Sequence, residues 1–216
     1  LSGGLDSATV LYHALSKGYQ VRALIFDYGQ RHRREIRSAK ALARRAGVLF
    51  ETVGISFPWK GSALTDRKLR VPVGGVRRGV IPPTYVPARN IIFLSFAASC
   101  AEAVGARTIF IGANALDYSG YPDCRPGFFR AMQKTLDQGL KTGVRKKGIR
   151  IEAPLLRMTK AEIVRRGIAL GVPYEKTWSC YQGGKTPCGV CDSCRLRTKG
   201  FWEAGAKDPL VPGGRS

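Results

Sequence analysis

The segment LSGGLDSATV at residues 1–10 sets two hydroxyls, Ser2 and Ser7, and one carboxylate, Asp6, around Gly3 and Gly4. Glycines take tight backbone angles and let N–H groups come close to a ligand. An apolar helical pattern follows at once, and a helix N-terminus carries partial positive charge. Serine hydroxyls donate to phosphate oxygens, and Asp6 stands where it could help hold Mg²⁺ against them. The chemistry served would be the cradling of a nucleotide's phosphates. The stretch matches neither G-x-x-x-x-G-K-[ST] nor the dinucleotide fingerprint. A glycine turn with an Asp or Ser cap explains the helix start equally well, so both readings stand on this fragment alone.

Cys180, Cys188, Cys191 and Cys194 are spaced C-x7-C-x2-C-x2-C. A C-x-x-C turn lets two thiolates reach one ion, and four thiolates close a tetrahedral Zn²⁺ site. Gly189 suits the tight turn between ligands. Such a site has no open coordination position, so the metal would fold the chain rather than catalyse. An iron–sulfur cluster uses the same four ligands and stays open here.

Three further stretches carry polar groups of interest. VPARN (86–90) ends a long irregular segment and offers Arg89 to a phosphate or carboxylate. GANALDYSGYPDCRPGFF (112–129) gathers Asp117, Tyr118, Ser119, Tyr121, Asp123 and Arg125 at a predicted strand end. Together these could read a flat polar heterocycle, although any one of them is equally suited to holding the loop. TKAEI (159–163) puts Lys160 at a helix N-terminus, an electrostatically poor place for a cation unless an anion is bound. Cys124 lies in the same loop as Asp123 but has no evident activating neighbour and is assigned no nucleophilic role.

These groups must be held by alternating helices and strands. Helical spacing predicts helices over 6–16, 31–45, 90–104, 128–138 and 159–170, with Gly18 and Gly47 ending the first two. Short apolar runs predict strands over 20–26, 48–53, 108–112 and 149–155. Thr159 with Glu162 reads as a capping box. The Pro-, Gly- and Arg-rich stretch 54–87 reads as a lid, a binding loop or a disordered insert. This order predicts an α/β fold, a doubly wound parallel sheet, in which ligands bind beyond the carboxyl ends of the strands. The segments there are 2–7, 27–32, 112–125 and 154–160. The chain divides into an ATP-binding α/β unit over 1–173, with the insert at 55–87, and a zinc-binding appendage over 174–216.

Composition supports a globular chain, with 44% hydrophobic and 24% charged residues. No run of about 18 apolar residues is present, and no secretory signal precedes Leu1. The net charge of +21 attracts polyanions. The basic residues are spread along the chain, however, with no tail and no aromatic-interleaved stripe, so charge alone does not argue for a nucleic-acid binder.

Taken together, SGGLDSAT, FDYGQRH, VPARN, GANALDYSGYPDCR, PLLRMTKAEI and TWSCYQGG…CGVCDSCRLR resemble the QueC family of the PP-loop ATP pyrophosphatases, from Ser2 to about Pro209. The resemblance implies a five-stranded parallel sheet of the adenine-nucleotide-hydrolase type. In that fold the phosphate loop follows the first strand, of which only Leu1 stands in this sequence, so residues are expected to precede it. It also implies an ATP-dependent ligase that turns 7-carboxy-7-deazaguanine and ammonia into 7-cyano-7-deazaguanine for queuosine and related 7-deazapurines. ATP adenylates the carboxylate, ammonia displaces AMP to give an amide, and a second ATP activates the amide oxygen so that the nitrile forms. Such a site neutralises charge rather than supplying a nucleophile, which agrees with a chain whose only histidines are His13 and His32.

By the same resemblance, Leu1, Ser2, Gly3, Gly4, Leu5, Asp6 and Ser7 hold the pyrophosphate with Mg²⁺. Asp27 and Tyr28 lie where such folds meet adenine or ribose, and Arg89 and Lys160 balance phosphate charge. Asp123 and Arg125 are the candidates for the deazaguanine and its carboxylate. A structural zinc ion, a homodimer, a cytoplasmic location and no stable nucleic-acid partner complete the expectation. Two other readings compete: a tRNA-modifying PP-loop enzyme of thiolase or lysidine synthetase type, and a zinc-ribbon nucleic-acid-binding module. The first lacks an appended RNA-binding domain here. The second leaves SGGLDS without purpose.

Overall fold

The structure, a computed structural model, describes residues 1–73, 80–116, 120–145 and 148–211. Helices and strands alternate as the spacing predicts. In order they are α1 (Leu5–Ser16), β1 (Arg22–Asp27), α2 (Arg34–Arg45), β2 (Leu49–Gly54), α3 (Arg89–Val104), β3 (Thr108–Phe110), α4 (Pro126–Gly139), α5 (Lys141–Val144), β4 (Arg150–Glu152), α6 (Lys160–Ala169) and α7 (Asp192–Glu203). Short 3-10 turns occupy Pro122–Cys124 and Tyr174–Lys176. The helix over α2 forms because Ile36, Ala39, Leu42 and Ala43 share one buried face while the rest of the segment is charged. The capping box is present: Thr159 Oγ1 accepts from Glu162 N, and Thr159 N donates to Glu162 Oε2 at 2.7 Å.

The single five-stranded sheet expected from the resemblance is not what is observed. Among the described residues, β1 pairs in parallel with β2 and β3 in parallel with β4, as two separate two-stranded sheets. Residues of β1 and β3 both line one cavity. The Leu1 amino group donates to the Leu24 carbonyl of β1. The parallel α/β character stands, and so does its consequence: the strand ends converge. Asn114 Nδ2, just past β3, donates to the carbonyls of Leu155 (2.9 Å) and Met158 (2.6 Å), just past β4.

Two apolar clusters fix these elements. One joins Leu5 and Ala8 of α1, Leu42 of α2, Leu155, Ile163 of α6 and Phe201 of α7. The other joins Leu94, Ile109, Phe129, Met132 and Ile149. The insert is pinned rather than loose where it is described. The Arg31 guanidinium donates to the carbonyls of Ala63 (3.0 Å) and Leu69 (2.6 Å), and Phe57 and Leu64 pack with Tyr28. Among the described residues no helix is long and apolar enough to cross a membrane.

Candidate active site

The glycine loop at residues 2–7 is shaped by what packs beneath it. Gly3 has φ +85°, and a Cβ there would lie 2.3 Å from the Glu35 carbonyl oxygen and 2.7 Å from Ala39 N. Only glycine can bring this loop so close to α2. Gly112 plays the matching part from β3, where a Cβ would lie 3.0 Å from Ser7 Cα. No side chain caps α1, whose N-cap is Gly4, so its first turn faces outward with N–H groups to offer. Beside it the hydroxyls of Ser2 and Ser7 lie 3.0 Å apart, and Ser2 N donates to Ser7 Oγ at 3.2 Å.

Lys160 reaches this loop from α6. Its ammonium donates to both oxygens of Asp6, at 2.7 and 2.9 Å. The Lys160 side chain is 8% exposed and that of Asp6 19%. The stem passes over Gly200 of α7, where a Cβ would sit 2.2 Å from Lys160 Cγ. The cation at the head of α6 is thus answered by a carboxylate at the head of α1.

Arg89 opens α3 directly after Ala88, whose backbone is left-handed at φ 56°. That is an uncommon state for a residue with a side chain, and it is stored where the chain must turn sharply. Burial alone would lower the basicity of Arg89, but Tyr28, Tyr121, Cys124 and Asp123 around it hold the charged form. Tyr28 hydrogen-bonds Arg89, and burial pushes its hydroxyl up to about 12. Asp123 is buried, and its Oδ2 accepts from Asn90 N at 3.0 Å, so it caps the first turn of α3. Burial likewise lifts the Cys124 thiol to about 12, and Asn90 Nδ2 donates to its sulfur. An inert thiol is what the sequence reading assigned there.

These groups surround a cavity of about 730 Å³. Of the candidates, Leu1, Ser2, Gly4, Leu5, Asp6, Ser7, Tyr28, Arg89 and Lys160 line it. Gly3 lies buried behind them. Asp27 does not reach it; its carboxylate pairs with Arg33 at 3.1 Å. Asp123 and Arg125 are not among the lining residues either, and Arg125 is exposed. Asp117, Tyr118 and Ser119 lie outside the described residues. Glu35, Trp178 and Tyr181 line the cavity without having been singled out from sequence. Glu35 was masked by its setting, RHRREIR, in which a carboxylate reads as one more charge on a solvated helix.

The cysteines converge. The sulfur atoms of Cys180, Cys188, Cys191 and Cys194 all lie within 4.8 Å of one another, with Cys188 and Cys194 at 3.9 Å. Four sulfurs about 2.3 Å from one tetrahedral Zn²⁺ would stand roughly 3.8 Å apart, so the set fits that ion. Backbone N–H groups of Gln182 and Cys188 point at Cys180 Sγ at 3.4 Å, and Cys191 N at Cys188 Sγ. Hydrogen bonds from Cys191 and Cys194 hold Cys180 well below the usual thiol range. The knuckle is tied to the glycine loop through Trp178. Its backbone N donates to the Gly3 carbonyl at 2.8 Å, its indole donates to the Cys180 carbonyl at 2.9 Å, and Arg34 lies over its ring at 3.9 Å.

Comparison with known proteins agrees with this geometry. The family described as queuosine biosynthesis protein QueC matches residues 1–205. A 7-cyano-7-deazaguanine synthase of Thermoplasma acidophilum is 58% identical over 97% of this chain and 89% of its own length. One from Trichodesmium erythraeum is 53% identical over 98% of this chain and 97% of its own. Among solved structures, an NMN synthetase from Francisella tularensis shares the fold, with a TM-score of 0.50, 15% identity, and coverage of 96% of this chain and 76% of that one. The chain belongs to the QueC family.

Proposed function

We propose that this QueC-family chain is a 7-cyano-7-deazaguanine synthase, an ATP-dependent ligase joining 7-carboxy-7-deazaguanine and ammonia. The observation that carries the reading is convergence. A donor-rich glycine loop, a Lys160–Asp6 pair and Arg89 face one cavity roomy enough for a nucleotide and a second heterocycle. The chemistry asks for that and little more. A carboxylate oxygen leaves poorly until it carries a phosphoryl group, and the cost of the reaction is charge built up on phosphates.

In this reading Ser2, Gly3, Gly4 and Ser7 bind the pyrophosphate through N–H and O–H donors. Lys160 and Arg89 neutralise it. Asp6 is the carboxylate at hand for Mg²⁺ when Lys160 turns toward phosphate. Tyr28, with its firmly protonated hydroxyl, borders the nucleoside. Asp123 acts by positioning, since it fixes the first turn of α3 and hence Arg89. Arg125 and the 112–125 loop remain our candidates for meeting the deazaguanine. The four cysteines would hold structural Zn²⁺, which would supply cross-linking and no chemistry. The two parallel strand pairs are the flanks of one sheet in this reading, because residues of both line the same cavity. The homodimer and the cytoplasmic location rest on family resemblance alone.

The test is direct. Metal-loaded protein with ATP, ammonium and 7-carboxy-7-deazaguanine should yield AMP, pyrophosphate and a nitrile identified by mass. Ser2→Ala and Asp6→Asn should abolish turnover while leaving the circular dichroism spectrum unchanged. No AMP from metal-loaded protein overturns the reading.

A further inference from the structure

Beside the large cavity lies a far smaller one of about 10 Å³. Tyr28, Gln30, Glu35, Leu64 and Tyr181 line both, so it is a side chamber of the first. Its volume is that of one water-sized molecule.

The chamber's wall has one buried acceptor with nothing to accept and a carboxylate beside it. His32 Nε2 lies 2.9 Å from the Cys180 carbonyl oxygen. A carbonyl only accepts, so Nε2 carries the hydrogen and Nδ1 of the neutral ring is a bare lone pair. That Nδ1 is buried with no partner among the described residues. A Cβ on Gly183 would lie 2.3 Å from the imidazole, so the ring is held in place by its neighbours. Next to it is the carboxylate of half-buried Glu35, which lines both the chamber and the large cavity. Burial pushes its carboxyl up to about 7, with Arg89 only partly opposing. The other polar side chains here are engaged. Gln30 accepts from Tyr28 N and donates to the Phe26 carbonyl, and Arg31 donates to carbonyls of the insert.

A bare imidazole nitrogen beside a carboxylate that is charged above about pH 7 favours a ligand that is small, cationic and made only of donors. Ammonium has four N–H groups and no acceptor. Water brings two acceptors that find no use, and no charge to match Glu35. We propose that this chamber is the ammonium site, holding the nitrogen donor against Glu35 and His32 at the edge of the cavity where the carboxylate is adenylated. The proposal rests on the synthase reading above, since it names where one of that reaction's substrates waits.

The experiment varies ammonium chloride at saturating ATP and 7-carboxy-7-deazaguanine. Glu35→Gln should raise KM for ammonium about ten-fold or more, with KM for ATP changed less than about two-fold. Leu64→Ala should enlarge the chamber enough to admit methylamine, which the unaltered enzyme rejects. Methylammonium would give one proton to the Glu35 carboxylate, and the freed nitrogen would attack the adenylated carbon, forming the C–N bond as the bond to AMP breaks and losing its second proton to solvent. The product, an N-methylamide found by mass, stops there because the nitrile step needs two amide hydrogens. An unchanged KM for ammonium in Glu35→Gln together with no N-methylamide from Leu64→Ala overturns the proposal. So does a rise in KM for ATP as large as that for ammonium, which would put Glu35 in the nucleotide site. The acid-dependent ATP–pyrophosphate exchange of the unaltered enzyme, run without ammonium, keeps the two readings apart: its absence overturns the synthase reading itself.

Discussion

Gly3→Ala isolates how far the phosphate loop depends on its contact with α2, if it is read against Gly18→Ala. Both glycines sit at positive φ, +85° and +78°. An alanine in that region costs about 1 kcal/mol at either site. The gain from a stiffer unfolded chain, about 0.4–1 kcal/mol, is common to both and cancels in the comparison. The surroundings differ. A Cβ at Gly18 meets nothing within 4 Å, whereas at Gly3 it meets the Glu35 oxygen at 2.3 Å and Ala39 N at 2.7 Å. Both atoms are backbone, so the loop or α2 must retreat by about 1 Å to reach ordinary contact. Overpacking of this kind costs about 1–3 kcal/mol. Urea unfolding of metal-loaded protein should therefore show Gly3→Ala about 1–3 kcal/mol less stable than Gly18→Ala. A displacement of that size in a positioning loop also lowers rate by about 10²-fold. Acid-dependent ATP–pyrophosphate exchange should fall accordingly in Gly3→Ala and stay near normal in Gly18→Ala. Equal stability and equal exchange in the two variants would refute the claim that α2 sets the loop.

Lys160→Met should abolish exchange and lower stability by about 1–3 kcal/mol in urea unfolding. That is less than a fully buried broken pair costs, because Asp6 retains 19% exposure. Gly200→Ala should reproduce the kinetic defect by pushing the Lys160 stem, with exchange as the readout. The folded Glu35 carboxyl titrates near 7 against 4.5 when free. Between those values the native state therefore holds a proton that the unfolded chain has lost. Its contribution to stability falls as pH rises from about 4.5 to 7 and levels off above. The difference in urea midpoint between the unaltered protein and Glu35→Gln, measured at pH 5 and 7.5, should shift toward the variant at the higher pH. Chelation of the knuckle metal should lower the melting temperature and exchange together, and one equivalent of zinc should restore both.

What was legible in the sequence is what local residues decide. The glycine loop, the capping box and the cysteine spacing each act within a few positions; the helix start after the loop, the capping box and the convergence of the four cysteines are found as read. Helices α2 and α4 show their apolar period openly, and α3 shows itself by a long, almost uniformly apolar run. Helix α7 does not, and no helix is predicted there within the appendage over 174–216. Its buried positions include Cys194, Arg197 and Gly200, none of which marks a helix face by hydrophobicity. Arg197 is buried because Asp208 meets it at 2.7 Å with both side chains 5% exposed, an ion pair across eleven positions that no pattern reveals, and because Thr177 Oγ1 and the Tyr174 carbonyl accept from it as well. Asp123 was illegible for the opposite reason. A carboxylate in a polar loop looks like a ligand group, and only the approach of Asn90 N makes it a cap. The Lys160–Asp6 pair spans 154 positions and had to wait for the fold.

The same distances explain why a closed four-thiol site belongs beside the cavity, to which it offers no coordination position. The loop's backbone needs a partner on the side away from α2, and the Gly3 carbonyl finds it in Trp178 N. Trp178 is itself fixed by its indole on the Cys180 carbonyl, the same oxygen that His32 engages. One carbonyl in the knuckle therefore orients both the support of the phosphate loop and the imidazole of the side chamber. A short loop of four thiols has too little apolar surface to hold that carbonyl still by packing alone. Cross-linking by a metal would supply the rigidity.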